Sequence, residues 1–331
     1  MQALEVIIPA RNEAQALPNL LADLREQRDV ALRIWVVDGQ SEDNTSKIAL
    51  AHGAEVLHSA PGRGRQLNRG WRAAAGAALL FLHADSRLPQ PQLLAQALRA
   101  WQQAPARTAA HFQLRFVDQP PGYEWFFARL ESKSGLNLPQ TFNGDQGLLI
   151  RRDWLQQLGG FDQTLPFLED QAIGEAIRAQ GQWMTLPGQL HTSARRFVTE
   201  GTAERYLGML IIMCARQAGC TDFLRAAPQL YRPQSQINNR LDLLPLLSAG
   251  LQAAKTQPAF WEHMADYAWD NMWQLAHSLE LLSGGRVPLL PAFLRWQSRS
   301  ERVQRLTRPL LARSLRQIFA QWLPWLLKQR G

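Results

Sequence analysis

Short apolar runs alternate with amphipathic helical segments through the first half of the chain. Runs rich in β-branched and other apolar residues occupy residues 4–9, 32–37, 54–57 and 78–82. Continuous apolar runs of this length are typical of strands that are buried on both faces of a sheet. Strands that alternate with helices at this spacing predict βαβ units and a mainly parallel sheet.

The pattern changes along the second half of the chain. Further strand-like runs lie at 109–117 and 148–150, and a helix is expected to open at Glu169-Asp170. Beyond about residue 203 the strand signals end, and helical patterns follow at 204–218, 241–254, 259–283 and 303–323. We therefore expect an α/β domain in residues 1–225 and a helical extension in residues 226–331.

Polar clusters follow three of the predicted strands at the point where each strand ends. Arg11-Asn12-Glu13 follows the first strand, Asp38 the second, and His83 and Asp85 the fourth. Because the carboxyl ends of parallel strands lie at one edge of the sheet, these clusters are expected side by side. Ligands of open α/β sheets bind in the crevice at that edge, so the sequence predicts a site there.

The formal charge of +8 is unevenly distributed between the two parts of the chain. Residues 226–331 carry 13 Lys and Arg against 6 Asp and Glu, whereas residues 1–225 are close to neutral. An enzyme of nucleic acids is expected to concentrate basic residues around its catalytic crevice. The distribution therefore indicates no nucleic-acid partner, and it assigns the basic excess to the extension.

Cysteine content and hydropathy bear on the compartment. The two cysteines, Cys214 and Cys220, suit a reducing cytoplasm better than a disulfide scaffold. The first strand follows the N-terminus directly, with no basic segment or cleavage site of a signal peptide. The apolar run at 207–215 is far shorter than the roughly 20 residues that a membrane span needs. We expect a cytoplasmic protein, with peripheral attachment to the inner face of the membrane as an alternative.

The composition of the last 46 residues, 286–331, is compatible with peripheral attachment to a membrane. Residues 286–331 contain ten Lys and Arg and one acid, and an apolar stripe begins at Val303, Leu306 and Leu310 and is expected to include Trp322. A basic, tryptophan-containing amphipathic helix is typical of segments that lie on an anionic membrane surface. The same stripe also suits packing within a helical subdomain or against a second subunit.

Six motifs, taken in order, resemble a known enzyme family. PARNEA, VVDGQSEDNT, FLHADS, NGDQGLLIRR, GGFD and LED occur in this sequence at separations that resemble those of family 2 inverting glycosyltransferases of the GT-A fold. The resemblance is strongest to a small bacterial subfamily with His-Ala-Asp in place of the usual Asp-x-Asp. It covers about residues 1–225, and it implies a GT-A nucleotide-diphospho-sugar transferase fold with a mainly parallel, Rossmann-like sheet.

The resemblance implies a nucleotide site at the strand ends. Glu13 and Asp38 would bind the base and ribose, and the surrounding loop would be shaped by Pro9, Ala10, Arg11 and Asn12, with Ala84 in the His-Ala-Asp motif. Arg63, Arg65 and Gln66 lie in a glycine-containing loop after the third strand, from which they would reach the phosphates. The alternatives are a turn role for Asp38, a local loop hydrogen bond for Asn12 and a solvated basic loop for the arginines.

A nucleotide diphosphate carries concentrated negative charge, so a divalent cation is expected, and hard oxygen ligands suit Mg²⁺ or Mn²⁺. The resemblance implies that Asp85 is the metal-binding aspartate. His83 stands where the family usually has its first aspartate, and either metal ligation or a contact with the ribose is open for it. His191 follows the last predicted strand, where it would complete the metal shell or serve as an ordinary strand-end histidine.

Inverting transfer also needs a carboxylate that accepts the proton of the attacking hydroxyl. The resemblance implies that Asp170 is this base with Glu169 beside it, although both carboxylates also suit the N-terminus of a helix. Gly144 and Asp145 would line the donor-sugar or acceptor side.

The segment after the last strand is implied to close the site. Arg195 or Arg196 would neutralise the leaving diphosphate there. The Gln-x-x-Arg-Trp signature of processive polysaccharide synthases is absent, so the sequence favours transfer of a single sugar.

The sequence leaves several functions open. The first is a metal-dependent inverting glycosyltransferase that moves one sugar from a UDP- or GDP-linked donor to an acceptor hydroxyl. A polyprenyl-phosphate glycosyltransferase, acting on a lipid-linked acceptor at the membrane surface, is an alternative within that class. A nucleotidyltransferase and a non-catalytic nucleotide-binding protein are alternatives of other classes. The sugar, the acceptor and the oligomeric state are not encoded in any motif of the chain.

Overall fold

The computed structural model describes residues 3–230, 240–257, 259–284 and 288–328, without the side chains of 228–230 and 318–328. Seven strands form one sheet within the described residues. The strands are β1 (Leu4–Ala10), β2 (Leu32–Asp38), β3 (Glu55–His58), β4 (Ala78–Phe81), β5 (Thr108–Val117), β6 (Leu148–Arg151) and β7 (Gln182–Ser193). The six strands predicted from apolar runs are confirmed to within two residues at each end. β7 was not predicted, and it contains His191, which was expected to follow the last strand.

The sheet has the order β3-β2-β1-β4-β6-β5-β7. Strands β3, β2, β1 and β4 are parallel to one another, and β5 and β7 are parallel to each other. β6 is antiparallel to both of its neighbours, β4 and β5. The prediction of an α/β fold built on a mainly parallel sheet is therefore confirmed.

Side chains alternate along β1 between two apolar layers, because successive residues of a strand point to opposite faces. Val6 and Ile8 belong to one buried cluster, in which helix α1 (Leu17–Arg25) packs with Leu20 and Leu21. Ile7 belongs to the cluster on the other face, with residues of helix α3. Both faces of the central strands are thus covered, which explains their continuous apolar runs.

Further helices surround the sheet in the first 200 residues. They are α2 (Thr45–Ala51), α3 (Arg63–Ala73), α4 (Leu93–Gln102), α5 (Glu124–Ser134), α6 (Arg152–Gln157), α7 (Glu169–Gln180) and α8 (Arg195–Glu200). A single 3₁₀ turn, Gly144–Gln146, precedes β6. β2, β1 and β4 are neighbours in the sheet, so the polar clusters at their carboxyl ends lie side by side, as predicted.

The chain divides into two compact units, Met1–Val198 and Thr199–Gly331. The second unit contains α9 (Thr202–Gln217), α10 (Thr221–Leu230), α11 (Leu244–Thr256), α12 (Phe260–Asp270), α13 (Trp273–Leu282), α14 (Leu289–Ser298) and α15 (Glu301–Lys328). The boundary lies before α9, rather than after residue 225 as the sequence predicted. The physical reason is that α9 packs against α10, α11 and α12, which places it in the helical unit.

Polar contacts join α12 to α14 and α15 in the second unit. Arg308 of α15 forms ion pairs with Asp266 at 2.8 Å and Glu262 at 3.6 Å, both on α12. Gln297 of α14 donates a hydrogen bond of 2.6 Å to the carbonyl of Trp269 at the end of α12. None of the described helices combines the length and the apolar character that crossing a bilayer requires.

Candidate active site

The loops that follow β1 and β2 are joined by hydrogen bonds. Asn12 has a left-handed backbone (φ 57°), a conformation that asparagine tolerates better than most residues. The side-chain oxygen of Asn12 accepts a hydrogen bond of 2.8 Å from the Glu42 backbone amide. The backbone amide of Asn12 donates to the Ser41 hydroxyl at 2.9 Å. The Glu13 amide donates to the Thr45 hydroxyl at 2.8 Å. Asn12 therefore shapes the rim of the site by linking the two loops.

Asp38 lies at the end of β2, where it is almost fully buried. Its carboxylate accepts bonds from the Ser41 amide at 3.0 Å and from the Ser46 hydroxyl at 2.7 Å. Burial by itself raises the pKa of Asp38, but the hydrogen bonds from Ser41 and Ser46 outweigh burial and lower the pKa. The carboxylate is ionised at neutral pH, and it organises the turn that borders the predicted nucleotide site.

Gln66 does not face the predicted phosphate position. It is 5% exposed, and its amide nitrogen donates to the carbonyls of Ala10 at 2.9 Å and Val37 at 2.8 Å. A side-chain Cβ at Gly39 would lie 2.8 Å from the same amide group, so glycine is required there. Gln66 therefore joins the ends of β1 and β2, and the prediction that it reaches the phosphates is wrong because its amide is committed to the backbone.

The residues predicted to shape the nucleotide loop differ in exposure. Ala10 and Ala84 are buried, Pro9 is half-buried and Arg11 is exposed. Ala84 separates His83 from Asp85 in the turn after β4, which the Ser86 amide closes by donating to the His83 carbonyl at 3.1 Å. The small side chains of Ala10 and Ala84 allow the loops to lie close to the sheet, and they carry no polar atom.

Glu13 and Asp85 form an acidic pair at the sheet edge. Burial first, and then the negative charge of Asp85, raise the pKa of Glu13 to about 7, while the positive charges of Arg195 and Arg63 oppose that rise. These four groups come from the loops after β1 and β4, from the start of α3 and from the start of α8. The structure thus brings together four residues that the sequence predicted separately.

His83 is next to the 3₁₀ turn. A Cβ built on Gly144 would lie 2.9 Å from the His83 Nε2 atom, so this glycine allows the imidazole to approach the backbone. Burial is the main cause of a lowered pKa for His83, and Arg63 lowers it further, although Asp85 acts in the opposite direction. The imidazole is therefore neutral, and a neutral imidazole has one nitrogen with a lone pair available to a cation or a hydroxyl.

Asp170 is fixed from two sides. Its Oδ2 atom accepts a bond of 2.8 Å from the Gly144 amide, and its Oδ1 atom accepts one of 2.7 Å from the Gln171 amide. The side-chain amide of Gln171 donates to the Phe142 carbonyl at 2.6 Å, which ties the start of α7 to the segment before the 3₁₀ turn. Leu168, which precedes α7, has a left-handed backbone (φ 67°) that redirects the chain before the two acids.

Glu169 lies beside Asp170 and is only 1% exposed. The Nη1 atom of Arg63 lies 3.4 Å from its Oε1 atom, and the Arg63 side chain is 46% exposed. Burial raises the pKa of Glu169, and Arg63 opposes this while Asp170 adds to it. Arg63 is also close enough to Asp145 and Asp85 for their charges to raise its own pKa against the effect of burial.

These residues border one pocket. Its lining combines the polar side chains of Arg63, His83, Glu169 and Asp170 with apolar ones, and its members are Arg63, Leu67, Phe81, Leu82, His83, Phe142, Gly144, Leu148, Phe161, Glu169 and Asp170. The enclosed space is about 20 Å³, room for about one water molecule, so it marks the point where these charged and apolar side chains meet and not a cavity for a whole ligand. The predicted acceptor-side residues Gly144 and Asp170 thus share a pocket with the predicted phosphate ligand Arg63.

Three predicted residues lie apart from this group. His191 is inside β7, where it pairs with Arg115 of β5 and exchanges backbone hydrogen bonds with Arg87. Burial lowers its pKa, and the charges that act on it next are those of Arg115 and Arg87. The charges of Glu131 and Asp23 also act on it and raise its pKa. A role for His191 in the metal shell stays a prediction. Arg65 is exposed with its stem folded toward Gly62, and Arg196 is half-buried at the start of α8.

Two glutamines that support the site, Gln146 and Gln171, were not predicted. Asn143 and Gln146 form a reciprocal capping box around the 3₁₀ turn, and Gln146 also donates to the Ser134 carbonyl. The spacing Asn-x-x-Gln is a signature of such a box and was available in the sequence. Gln171 gave no comparable signal, because its partner Phe142 is distant along the chain.

Among the described residues, no three His, Cys, Asp or Glu side chains converge closely enough to hold a metal ion alone. Mg²⁺ is commonly held by one or two carboxylates together with substrate phosphates, so a site of this kind needs fewer protein ligands. Asp85 has a second carboxyl beside it in Glu13, and His83 is neutral. Asp85 together with one of these two neighbours fits a divalent cation that shares its ligands with a bound diphosphate.

Comparison with known proteins gave a family and several relatives. Residues 5–159 match the family model described as "Glycosyl transferase family 2". An uncharacterized glycosyltransferase of Mycobacterium tuberculosis is 33% identical over 98 residues, which are 28% of this chain and 43% of the relative. The 4,4'-diaponeurosporenoate glycosyltransferase of Staphylococcus haemolyticus is 26% identical over 216 residues, 59% of this chain and 57% of the relative. The chain spans about half the length of the curated relatives it matches.

Solved structures gave weaker likenesses. The mannosyltransferase PcManGT from Pyrobaculum calidifontis, solved with GDP-Man and Mn²⁺, is 19% identical, with a TM-score of 0.48 over 97% of this chain and 88% of that chain. A TarS fragment from S. aureus, solved with UDP-GlcNAc, is 15% identical, with a TM-score of 0.48 over 89% of this chain and 92% of that chain.

The family match begins in β1 and ends after α6, so it includes the strand ends that carry Glu13, Asp38 and Asp85. It confirms the predicted resemblance to glycosyltransferase family 2 over residues 5–159, which are just under half of the chain.

Proposed function

We propose that this chain transfers one sugar from a nucleotide-diphosphate donor to an acceptor hydroxyl with inversion at the anomeric carbon. The observation that carries the proposal is the shared pocket in which the fixed carboxylate of Asp170 lies near the guanidinium of Arg63. One group suits the removal of a proton, and the other suits the stabilisation of a departing diphosphate. The family match and the relatives named as glycosyltransferases support the same class of reaction.

Asp170 acts as the general base in this proposal. The hydrogen bonds from the Gly144 and Gln171 amides orient its carboxylate, leaving further lone pairs for the proton of the acceptor. The acceptor oxygen forms its bond to the anomeric carbon as the bond from that carbon to the diphosphate breaks, and Asp170 takes the hydroxyl proton. No covalent intermediate with the protein forms.

Arg63 and Arg195 neutralise the charge that develops on the leaving diphosphate. Arg63 is half-exposed at the start of α3, and Arg195 is exposed at the start of α8. Both are close enough to Glu13 for their charges to lower its pKa, so both are directed at the same acidic edge. A preorganised cation at the leaving group stabilises the transition state more than the ground state, because the charge grows as the bond breaks.

Asp85 would hold a divalent cation, Mn²⁺ or Mg²⁺, with His83 or Glu13 as a further ligand. Such an ion supplies Lewis-acid stabilisation of the diphosphate when it is bound. Asp85→Ala is expected to remove the Mn²⁺-dependent part of the affinity for UDP or GDP in calorimetric titrations. Asp222→Ala, which changes a fully exposed aspartate of α10, is the control. An unchanged Mn²⁺ dependence in Asp85→Ala would remove Asp85 from the metal role.

A panel of nucleotide sugars tests the donor class. The full chain is mixed with UDP- and GDP-linked sugars, with and without Mn²⁺, and its melting temperature is recorded. A ligand that binds only the folded protein raises that temperature, and the stabilisation grows with the logarithm of the ligand concentration relative to Kd. We expect one nucleotide series to respond. No response to either series would contradict the proposal, and binding without turnover on any hydroxyl acceptor would favour a non-catalytic nucleotide-binding protein.

A lipid-linked acceptor at the membrane surface is a second candidate, and the exposed face of α15 favours it. Val303, Leu306 and Leu310 are 41%, 75% and 63% exposed, and Arg302 and Arg305 are exposed beside them. An apolar strip bordered by arginines complements an anionic bilayer, because the apolar side chains enter the interface while the cations meet the head groups. Under this candidate the acceptor is a polyprenyl phosphate, whose charged head lies at that interface.

Vesicle binding tests the second candidate. The double variant Leu306→Ser, Leu310→Ser is expected to bind more weakly than the wild type to vesicles that contain an anionic phospholipid. Leu50→Ser, which changes a leucine of α2 that is 62% exposed, is the matched control. Equal binding by the double variant, or equal binding to neutral vesicles, would contradict a membrane role for this face.

A further inference from the structure

The ion pair between Arg63 and Glu169 is the least satisfied charge contact of the pocket. The two closest atoms, Arg63 Nη1 and Glu169 Oε1, are 3.4 Å apart, which is longer than an ordinary charge-assisted hydrogen bond. Within the described part of the chain, Glu169 Oε1 is buried and accepts no hydrogen bond. The contacts that favour the ionised form of Glu169 are this guanidinium and a hydrogen bond from the Glu169 backbone amide.

Arg63 differs from Glu169 in its freedom to move. Its side chain is 46% exposed, whereas that of Glu169 is 1% exposed, so the cation can turn toward a ligand while the carboxylate stays in place. Arg63 is the first residue of α3. A Cβ built on the next residue, Gly64, would lie 2.6 Å from the Asp162 carbonyl oxygen. The helix start is therefore packed closely against the 161–163 segment, and only the side chain of Arg63 is free to reorient.

The proposed donor brings a second anion to the same guanidinium. A diphosphate at the acidic edge would lie near Arg63, which already responds to the charges of Asp85 and Asp145 on that side. One guanidinium cannot compensate a diphosphate and a buried carboxylate equally, because its five N–H donors occupy one plane with fixed directions. The anion with the larger charge is expected to take it.

We propose that Arg63 moves from Glu169 to the diphosphate when the donor binds, and that Glu169 then takes up one proton from solvent. The inference rests on the proposed nucleotide-diphosphate donor, and it assigns Glu169 the role of a positioning residue. In the empty site Glu169 holds the guanidinium over the pocket. In the loaded site the protonated carboxyl is neutral, so it does not repel the diphosphate.

The direction of the proton movement follows from the groups that face Glu169. Arg63, from α3, lowers its pKa, Asp170, from α7, raises it, and the neutral His83 borders the same pocket. Loss of the Arg63 contact removes the largest influence that lowers the pKa of Glu169, and burial and Asp170, which raise it, are then opposed only by the backbone hydrogen bond. The donor complex therefore binds more protons than the empty protein at any pH between the two pKa values.

Calorimetry in buffers of different ionisation enthalpy measures this proton directly. The full chain is titrated with UDP and with GDP at a fixed Mn²⁺ concentration, over a pH series from about 5 to 9. The slope of the binding enthalpy against the buffer ionisation enthalpy gives the number of protons taken up. The wild type is expected to take up more protons than Glu169→Gln. This difference should pass through a maximum along the pH series, and the maximum should approach one proton.

Three variants separate this proton from other sources. Glu169→Gln keeps the shape of the side chain and cannot titrate, so its difference from the wild type excludes protons taken up by the nucleotide. Arg63→Ala is expected to lose the same uptake and to bind nucleotide more weakly, since Glu169 then lacks its cation in both states. Arg65→Ala removes an exposed arginine of the same helix and is expected to keep the uptake. Glu13→Gln removes another carboxyl of raised pKa at the site, so the proton exchange that this variant shows contains no contribution from Glu13.

Two results would overturn the inference. One is nucleotide binding by the wild type without proton uptake in the whole pH series. The other is an uptake by Glu169→Gln or by Arg63→Ala equal to that of the wild type. Absence of binding to both nucleotides would instead contradict the proposed donor class, and this inference would fall with it. The wild-type measurement does not depend on the folding of any variant.

Discussion

Replacement of Asp170 by asparagine removes the proposed base with little change of shape. The Oδ2 atom of Asp170 lies 2.8 Å from the Gly144 amide, and its Oδ1 atom lies 2.7 Å from the Gln171 amide. Asparagine keeps one oxygen and replaces the other with a nitrogen that donates. One of the two backbone amides therefore faces a donor, and the site loses one hydrogen bond to a charged acceptor.

The two effects of Asp170→Asn differ in size and in the quantity they change. Loss of a general base lowers kcat by about 10²–10⁴-fold, which corresponds to about 3–5.5 kcal/mol of barrier. Loss of one charge-assisted hydrogen bond costs about 1.5–3 kcal/mol of unfolding free energy. The diphosphate ligands Arg63 and Arg195 are unchanged, so nucleotide affinity is expected to stay within about threefold, or less than 1 kcal/mol.

The assay compares sugar transfer and UDP or GDP affinity in the same preparations. Asp153→Asn is the matched control. The Asp153 carboxylate lies at the exposed start of α6 and accepts a hydrogen bond of 2.8 Å from the next backbone amide. The Asp170 carboxylate accepts a bond of the same kind from the amide of Gln171. The control is expected to keep its turnover and to lose a similar local hydrogen bond. Turnover of Asp170→Asn within tenfold of the wild type would refute the assignment of the base.

Two further predictions concern residues that support the fold. Gln66→Leu removes the side-chain amide that donates to the Ala10 and Val37 carbonyls. The Ala10 carbonyl keeps the Gly39 amide as a donor, so the unfolding free energy in urea should fall by about 1–3 kcal/mol. Gln96→Leu, at an exposed glutamine of α4, should change it by less than about 0.5 kcal/mol, and equal effects would contradict the role given to Gln66. Burial raises the pKa of the Cys214 thiol to about 12. Because the thiolate is the reactive form, alkylation of Cys214 near neutral pH should be slow in the native protein and fast in urea. Rapid labelling of Cys214 in the native protein would contradict its burial.

The parts of the fold that could be read from the sequence are those with a repeating physical signal. β1, β2 and β4 are buried on both faces, so each shows as a continuous apolar run, and their parallel direction placed Glu13, Asp38 and Asp85 at one edge. The helix that opens at Glu169 was also predicted, because two acids at a helix start agree with the direction of its dipole. The central half of the site followed from these elements.

The remaining features depend on contacts between distant segments. The direction of β6 is not encoded in its three apolar residues, so its antiparallel place between β4 and β5 was not predicted. The same reason explains Gln66, whose partners lie 56 and 29 residues away. The helical candidate at 259–283 is divided in the structure, since α12 ends at Asp270 and α13 begins at Trp273. No glycine or proline marks this break.

The place of β6 in the sheet has a consequence for synthesis of the chain. β1, β2, β3 and β4 can pair as soon as residue 81 is available, but the free edge of β4 binds residues 148–151. About 70 further residues must be translated before that edge is covered, which takes roughly 4–14 s at bacterial rates of elongation. During this interval Leu79 and Leu80, which are fully buried in the finished protein, lie on an open strand edge. The nascent chain is therefore most exposed to intermolecular strand pairing midway through its synthesis, and a chaperone that binds extended apolar segments would act on it then.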